Sequence, residues 1–356
     1  MPASKRSPSA ARGAAPGRPT IADVARAAGV SKATVSRFFN HRERLLTPDI
    51  AGRVEAAVTR LGYTPSPMAQ ALKRGRSRLI GLVVADISNP FSVAVLRGAE
   101  RACQDAGYLV MLFNLGNDSG REREAVEALT AYRVEGFILN TLGRDAGTVA
   151  QAARHGKPVV LVDRRHDDMQ ADFVSLDNAG AVKSAAEHLL AAGYRELLWL
   201  SEPLGGVSSR VERATAFRAW LDAHAAAARG RVLECGDGDP AALDEALRAL
   251  RKRAGARAPA LIAANAVVTL RVGAALQRLG WQFGAELGFV GFDDTEWAPL
   301  VGPGLSAIAQ PTDELGQVAA NCLLERLRGL ALPPRQILLP GRLVARGSSR
   351  RSQGNP

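Results

Sequence analysis

From residue 79 onward the chain alternates short, continuous apolar runs with amphipathic stretches of helical length, and this alternation limits the fold more than any other feature. Apolar runs begin at Leu79, Leu109, Gly136, Pro158, Leu197, Val232 and Ala260. Helical patterns such as Phe91 to Gly107, Glu122 to Tyr132, Pro240 to Arg253 and Val267 to Leu279 separate them. Strands buried on both faces read as unbroken apolar runs, so strand–helix alternation predicts parallel sheets covered on both sides. The stretch runs to Arg346, roughly twice the length of an ordinary unit of this kind, which predicts two α/β lobes, each a doubly wound parallel sheet. A helical pattern from Asp313 to Gly329 and a strand from Gln336 to Leu339 take the chain back to the first lobe. The expected N-lobe is therefore 79–177 with 310–339, and the C-lobe 178–309 with 340–346. An Arg/Ser/Gly-rich tail, 347–356, is expected to be disordered.

Ligands of such sheets bind beyond the carboxyl ends of the strands, and two facing lobes enclose a cleft there. The groups at those ends are Asp86 to Phe91, Asp163 to Arg165, Ser201 to Arg210, Asn265, and Phe292 to Trp297. Carboxylates and amides bind hydroxyls, arginine binds acidic or keto oxygens, and aromatic rings stack on a sugar ring. The mixture suits a polyol or sugar-like molecule.

Residues 20–64 have a different texture. Thr20 and Asp23 form a capping-box pattern ahead of Ile21, Val24 and Ala25, which share one helical face. Gly29 stands where the chain must turn, Val30 follows as a core plug, and Ser31 is a good N-cap for a second helix. On that helix Val35 points inward, leaving Lys32, Ala33, Thr34, Ser36 and Arg37 outside. Thr47 and Pro48 open a third helix with Val54, Ala57, Val58 and Leu61 as its stripe, and Gly62 closes it. This all-α layout is that of a helix-turn-helix, whose second helix lies in the DNA major groove.

Charge agrees. Residues 1–80 hold fifteen Lys or Arg against four Asp or Glu. The whole chain has 46 against 35, so the remaining 276 residues carry 31 of each and are neutral. A basic excess confined to one end is the footprint of phosphate binding. Residues 1–19 read as a disordered basic tail. Residues 65–78 read as a linker with a short helix that folds on DNA, offering Leu72 as an apolar wedge and Lys73 and Arg74 to phosphates.

Other classes fit poorly. No dinucleotide fingerprint, phosphate loop, nucleophile elbow or zincin motif occurs, so no catalytic residue and no cofactor is expected. The five histidines lack metal-ligand spacing, and Cys103, Cys235 and Cys322 are odd in number, which points to a reducing cytoplasm over a disulfide framework. No secretory signal and no apolar run long enough to span a membrane is present. A sugar-binding protein or an enzyme on the same two-lobed frame is the different-class alternative.

The segment Thr20 to Asn40, the run Gly62 to Pro65, the hinge Met68 to Leu72 and the order of the large-domain motifs together resemble the lactose-repressor/galactose-repressor family of bacterial transcription regulators. The resemblance covers residues 20–346. It implies a helix-turn-helix head on a periplasmic-binding-protein-like core, and a homodimer on a palindromic double-stranded operator. Its DNA-facing set is Thr20, Ser31, Lys32, Ala33, Thr34, Ser36, Arg37, Asn40, Tyr63, Met68, Ala69, Leu72, Lys73 and Arg74. Its effector contacts are Asn89, Phe91, Arg210, Asn265 and Asp293, with Asp163 and Trp297 adjacent. Phe38 and Phe39 depart from the smaller aliphatics usual there. Ala266 stands where the family commonly has an acid, which favours a more anionic effector. The segment Phe292 to Gly316 looks like the branch that senses gluconate or 2-ketogluconate. A repressor is expected, the alternatives within the family being an activator or a corepressor-dependent regulator sensing a nucleobase or neutral sugar.

Overall fold

The computed structural model describes residues 19–39, 46–65, 76–143, 147, 152, 155–165, 170–236 and 240–350. It divides into two compact units, one ending at Ser77 and one beginning at Arg78.

The first unit is helical: α1 (Ile21–Ala28), α2 (Lys32–Phe39) and α3 (Pro48–Leu61). The Asp23 carboxylate accepts from the Thr20 N–H at 3.0 Å and its hydroxyl at 2.7 Å, fixing the start of α1. Gly29 takes φ +64°, the left-handed region open to glycine at little cost, and the chain reverses there. The Ser31 hydroxyl accepts from the Thr34 N–H at 3.1 Å and opens α2. Val24, Ala25, Ala28, Val35, Val54 and Ala57 form the small core.

The second unit holds two six-stranded sheets. The first contains β1 (Leu79–Val84), β2 (Leu109–Asn114), β3 (Gly136–Asn140), β4 (Val159–Val162), β5 (Asp172–Leu176) and β11 (Gln336–Leu339). The second contains β6 (Glu196–Ser201), β7 (Arg229–Glu234), β8 (Ala260–Ala263), β9 (Gly288–Phe292), β10 (Ser306–Ala309) and β12 (Arg342–Val344). The orders are β2-β1-β3-β4-β5-β11 and β7-β6-β8-β9-β10-β12. All pairs are parallel except β10 with β12. The central strands are apolar except for the buried Asn140 that ends β3, as a sheet buried on both faces requires.

Helices α4 (Pro90–Asp105), α5 (Glu122–Ala131) and α10 (Thr312–Leu327) cover the first sheet. The second is covered by α6 (Asn178–Ala191), α7 (Ser208–Ala223), α8 (Pro240–Ala254) and α9 (Ala266–Leu279). The chain passes between the lobes three times: from β5 into α6, from β10 into α10, and from β11 into β12.

The tail departs from the disorder its composition predicts. Gly347–Ser349 form a single 3-10 turn, and Ser348 and Ser349 are fully buried. The Ser348 hydroxyl accepts from the Ser306 N–H at 2.7 Å and donates to the Phe289 carbonyl at 2.9 Å. Ser349 Oγ lies 2.6 Å from Ser306 Oγ and 2.7 Å from His188 Nε2. Arg/Ser/Gly-rich composition implies disorder only where no polar pocket waits for the hydroxyls. Here the ends of β9 and β10 supply one, and residues 347–350 belong to the C-lobe.

Candidate binding cleft and helical head

In the head, Val35 faces the core, which leaves Lys32, Ala33 and Arg37 exposed and Thr34 and Ser36 partly so. Lys32 and Arg37 enter no ion pair among the described residues. Two cations and short side chains on one outward face of a helix can approach a groove closely and reach bases or phosphates. Thr20 and Ser31 are exposed but act as caps. Tyr63 packs against the head core, its ring 5.7 Å from that of Phe39, and Phe39 meets Phe38 edge-on at 5.5 Å. The two phenylalanines thus extend the core under the end of α2 as an aromatic cluster with Tyr63. Asn40, Met68, Ala69, Leu72, Lys73 and Arg74 lie outside the described residues.

The strand ends of the two sheets meet in a cleft. One tight cavity of about 30 Å³ is lined by Asn89, Phe91, Asp163, Arg210, Asn265 and Asp293, with Arg164, Ser209, Arg213 and Gln310. Its volume is about that of one water molecule. A cavity of about 270 Å³ adjoins it through Asn89, Arg164 and Arg210. A third, of about 430 Å³, adjoins it through Phe91, Asp293 and Gln310 and is the one that Trp297 lines. A larger cavity, about 570 Å³, lies elsewhere on the C-lobe and is lined by Leu276, Trp281, Phe283 and Pro303 without a charged side chain. It is away from the strand ends, and its polar side chains are the amides of Gln277 and Gln282 and the indole of Trp281.

Local geometry explains why these residues converge. Asp163 and Asp293 follow β4 and β9 with φ of +66° and +72°, so each chain turns sharply as it leaves its strand. A left-handed aspartate is uncommon and costs free energy, and such residues gather at binding sites. Asn89 and Asn265 each cap a helix: their side-chain oxygens accept from the N–H groups of Phe91 at 3.1 Å and Val268 at 2.9 Å. Capping with the oxygen aims the amide NH₂ groups elsewhere. That of Asn265 donates to Glu202 at 2.7 Å.

Arg213 on α7 is the hub. It donates to the Asn178 side chain at 2.7 Å, the Ala264 carbonyl at 2.8 Å and the Gln310 side chain at 3.1 Å, and its guanidinium lies 4.6 Å from the centre of the Phe292 ring. It is 3.7 Å from Asp163 Oδ1, an ion pair without a hydrogen bond. Gln310 passes the connection on, donating at 2.6 Å to Asp293, whose other oxygen accepts from the Ala266 N–H at 3.1 Å. Burial pushes the Asp293 carboxyl up, against the pull of Arg213. Burial pulls Arg210 down, against the attraction of Glu202. Two buried atoms, Asp163 Oδ1 and Arg164 Nε, have no hydrogen-bond partner in the chain. Both lie in ion pairs, Arg164 Nε 3.4 Å from Asp163 Oδ2 and Asp163 Oδ1 3.7 Å from Arg213, and a ligand hydroxyl that reaches either atom gains a hydrogen bond the chain alone does not supply.

Sequence reasoning pointed to Asn89, Phe91, Asp163, Arg210, Asn265 and Asp293, and the fold gathers these six around one cavity. Arg164, Glu202 and Ser209 stand within the strand-end segments that the sequence marks, without being singled out there, whereas Arg213 and Gln310 carry no such mark. The available signal for Arg213 was its spacing: three residues beyond Arg210 on one helix puts the two guanidiniums on neighbouring positions of one face.

A three-helix head with an exposed basic face, joined to a two-lobed core with a polar cleft at its strand ends, defines a DNA-binding protein that carries a small-molecule sensor. Residues 20–66 match the family of bacterial regulatory proteins of the lacI type, and residues 186–349 match the periplasmic binding protein-like domain. The chain is 49% identical over 332 residues to the HTH-type transcriptional regulator PtxS of Pseudomonas plecoglossicida, covering 93% of this chain and 96% of that protein. It is 37% identical to the HTH-type transcriptional regulator KdgR of Bacillus subtilis, covering 93% and 98%. Among solved structures, the lac repressor dimer bound to operator and the anti-inducer ONPF superposes with a TM-score of 0.78 at 28% identity, covering 93% of this chain and 99% of that one. The chain belongs to the LacI family of bacterial transcriptional regulators. Members of that family are DNA-binding regulators with small-molecule effectors, not enzymes. No helix among the described residues is long and apolar enough to cross a membrane.

Proposed function

We propose that the chain acts in the cytoplasm as a homodimeric repressor on a palindromic operator, and that a sugar acid of the gluconate or 2-ketogluconate class controls its affinity for DNA. The observation that carries the effector class is the convergence of Arg164, Arg210 and Arg213 on a cavity whose other lining is amides, a hydroxyl, carboxylates, the Phe91 ring and Ala264. Guanidinium binds carboxylate and keto oxygens, and Asp163, Asn265 and Asp293 suit sugar hydroxyls. The Escherichia coli ribose operon repressor, 30% identical, and a CelR–cellobiose complex, TM-score 0.66, support a sugar-type ligand by analogy.

Lys32, Ala33, Thr34, Ser36 and Arg37 enter the major groove in this reading, and Met68, Ala69, Leu72, Lys73 and Arg74 form the hinge that meets the minor groove. The three passages between the lobes couple closure of the cleft to the segment that leads to the head. Calorimetric titration of the full chain with D-gluconate, 2-keto-D-gluconate, D-glucose and a purine tests the effector class. The acids are expected to bind at least roughly tenfold more tightly than the others. Binding of the purine or glucose alone defeats the sugar-acid reading.

A further inference from the structure

Glu202 and Asn265 follow β6 and β8, the neighbouring strands at which the order of the second sheet reverses. In doubly wound sheets the crevice at this reversal takes the ligand. Here it is already filled from within. One oxygen of Glu202, Oε2, accepts from Arg210 Nη2 at 2.7 Å and from Asn265 Nδ2 at 2.7 Å. Both partners of the ion pair are largely buried, at 18% and 15% side-chain exposure, so the contact is charge-assisted and poorly hydrated. Arg210, Asn265 and Glu202 all belong to the C-lobe, so breaking the contact releases nothing in the other lobe.

Of the other carboxylates at the strand ends, Asp86 is held by Ser88 and Asn117, and Asp293 by Gln310 and the Ala266 N–H. Asp163 accepts from Ser209 and forms longer ion pairs with Arg164 at 3.4 Å and Arg213 at 3.7 Å, and Asp294 is paired with Arg346. Glu202 differs, because it occupies the guanidinium and the amide best suited to an incoming acid. It also has somewhere to go: it lines the adjoining cavity of about 270 Å³.

We propose that Glu202 is an internal stand-in for the effector's carboxylate. It occupies the anion seat of the C-lobe in this structure, and an acidic effector binds by taking over its two donors. This rests on the sugar-acid reading and deepens it, since the seat also supplies selectivity. A sugar hydroxyl is a weaker acceptor for guanidinium than a carboxylate, so a neutral hexose leaves Glu202 in place, whereas an acid exchanges with it.

Titration calorimetry on the full chain tests the proposal, comparing wild type, Glu202→Gln and Glu202→Asp with D-gluconate, 2-keto-D-gluconate and D-glucose. Glu202→Gln loses the competing charge and should bind the acid roughly tenfold more tightly than wild type, with glucose much less affected. Glu202→Asp keeps the charge but falls one methylene short of both donors, and should also bind the acid more tightly. Melting curves of each variant establish that it is folded. Acid affinity unchanged or weakened in Glu202→Gln overturns the seat. So does wild-type affinity in Glu202→Asp, which would point to a general field effect. The sugar-acid reading is judged separately, on the wild type: if it binds glucose and neither acid, that reading falls. The seat then survives only if Glu202→Gln gains the acid.

Discussion

Asp172, on β5, illustrates how much a single residue can depend on partners far away in the chain. Its side chain is fully buried and accepts from Arg326 at 2.8 and 3.0 Å, from Arg335 at 3.0 and 3.3 Å, and from the Arg335 N–H at 2.8 Å. Burial alone would raise its pKa, but the bonds from the two arginines prevail and hold it well below the usual carboxylate range. Asp172→Asn leaves two arginines without their shared counter-charge. A loss of about 2–4 kcal/mol is expected in urea unfolding, at the lower end of values for buried pairs because both arginines reach solvent. A depressed carboxylate contributes stability above its unfolded pKa and loses it as pH falls toward the folded value. The gap between wild type and Asp172→Asn should therefore stay constant above about pH 5 and narrow below about pH 4. A gap that is flat down to pH 3 would contradict the assignment. No sequence cue marks Asp172, whereas Asn89, Asn265 and Asp293 stood at recognisable strand ends. Arg213 was missed for the opposite reason: it lies within a helix, and only the approach of the Gln310 segment shows which way that face looks.

At the scale of elements, helical periodicity located α4 and α10 to within a residue or two, but nothing in it says that they touch. They cross at two glycines. A Cβ at Gly98 would fall 1.9 Å from the Asp313 carbonyl oxygen, and one at Gly316 would fall 2.1 Å from that of Val95. The backbone leaves no room for a methyl group, and the obstacle is main chain, which cannot rotate away. Gly316→Ala should force the helices apart and cost roughly 3 kcal/mol, at the upper end of overpacking penalties. Thermal melting of the full chain measures this, and a variant as stable as wild type would mean that the crossing is looser than described. A similar limit applied to β5, β10 and β12. These short strands have no long apolar signature of their own, and their pairing partners define them.

For the molecule as a whole, the segregation of charge makes a quantitative statement about DNA. The net +11 lies in residues 1–80, and the remaining 276 residues are neutral. If several of those cations neutralise phosphates, counterion release makes operator affinity fall on the order of a thousandfold between about 50 and about 200 mM salt. Fluorescence anisotropy with operator DNA at a series of salt concentrations gives the slope. An affinity independent of salt would contradict phosphate-dominated binding. Effector binding in the neutral core should show little salt dependence beyond that of a single carboxylate–guanidinium pair.

The sequence by itself determined the helices and strands with strong periodicity, the capped three-helix head, the confinement of positive charge to one end, and the polar groups at the strand ends. All of these are written in neighbouring residues, because period, caps and charge depend only on local spacing. The tertiary structure decided what those groups meet: Glu202 between Arg210 and Asn265, Arg213 against Gln310, Asp172 between two arginines, and the serines of residues 348 and 349 under the ends of β9 and β10. Apart from Glu202 and Arg210, which are 8 residues apart, the partners are separated by many residues along the chain. Their interaction depends on burial and approach, which exist only once the sheets have closed and water has been excluded.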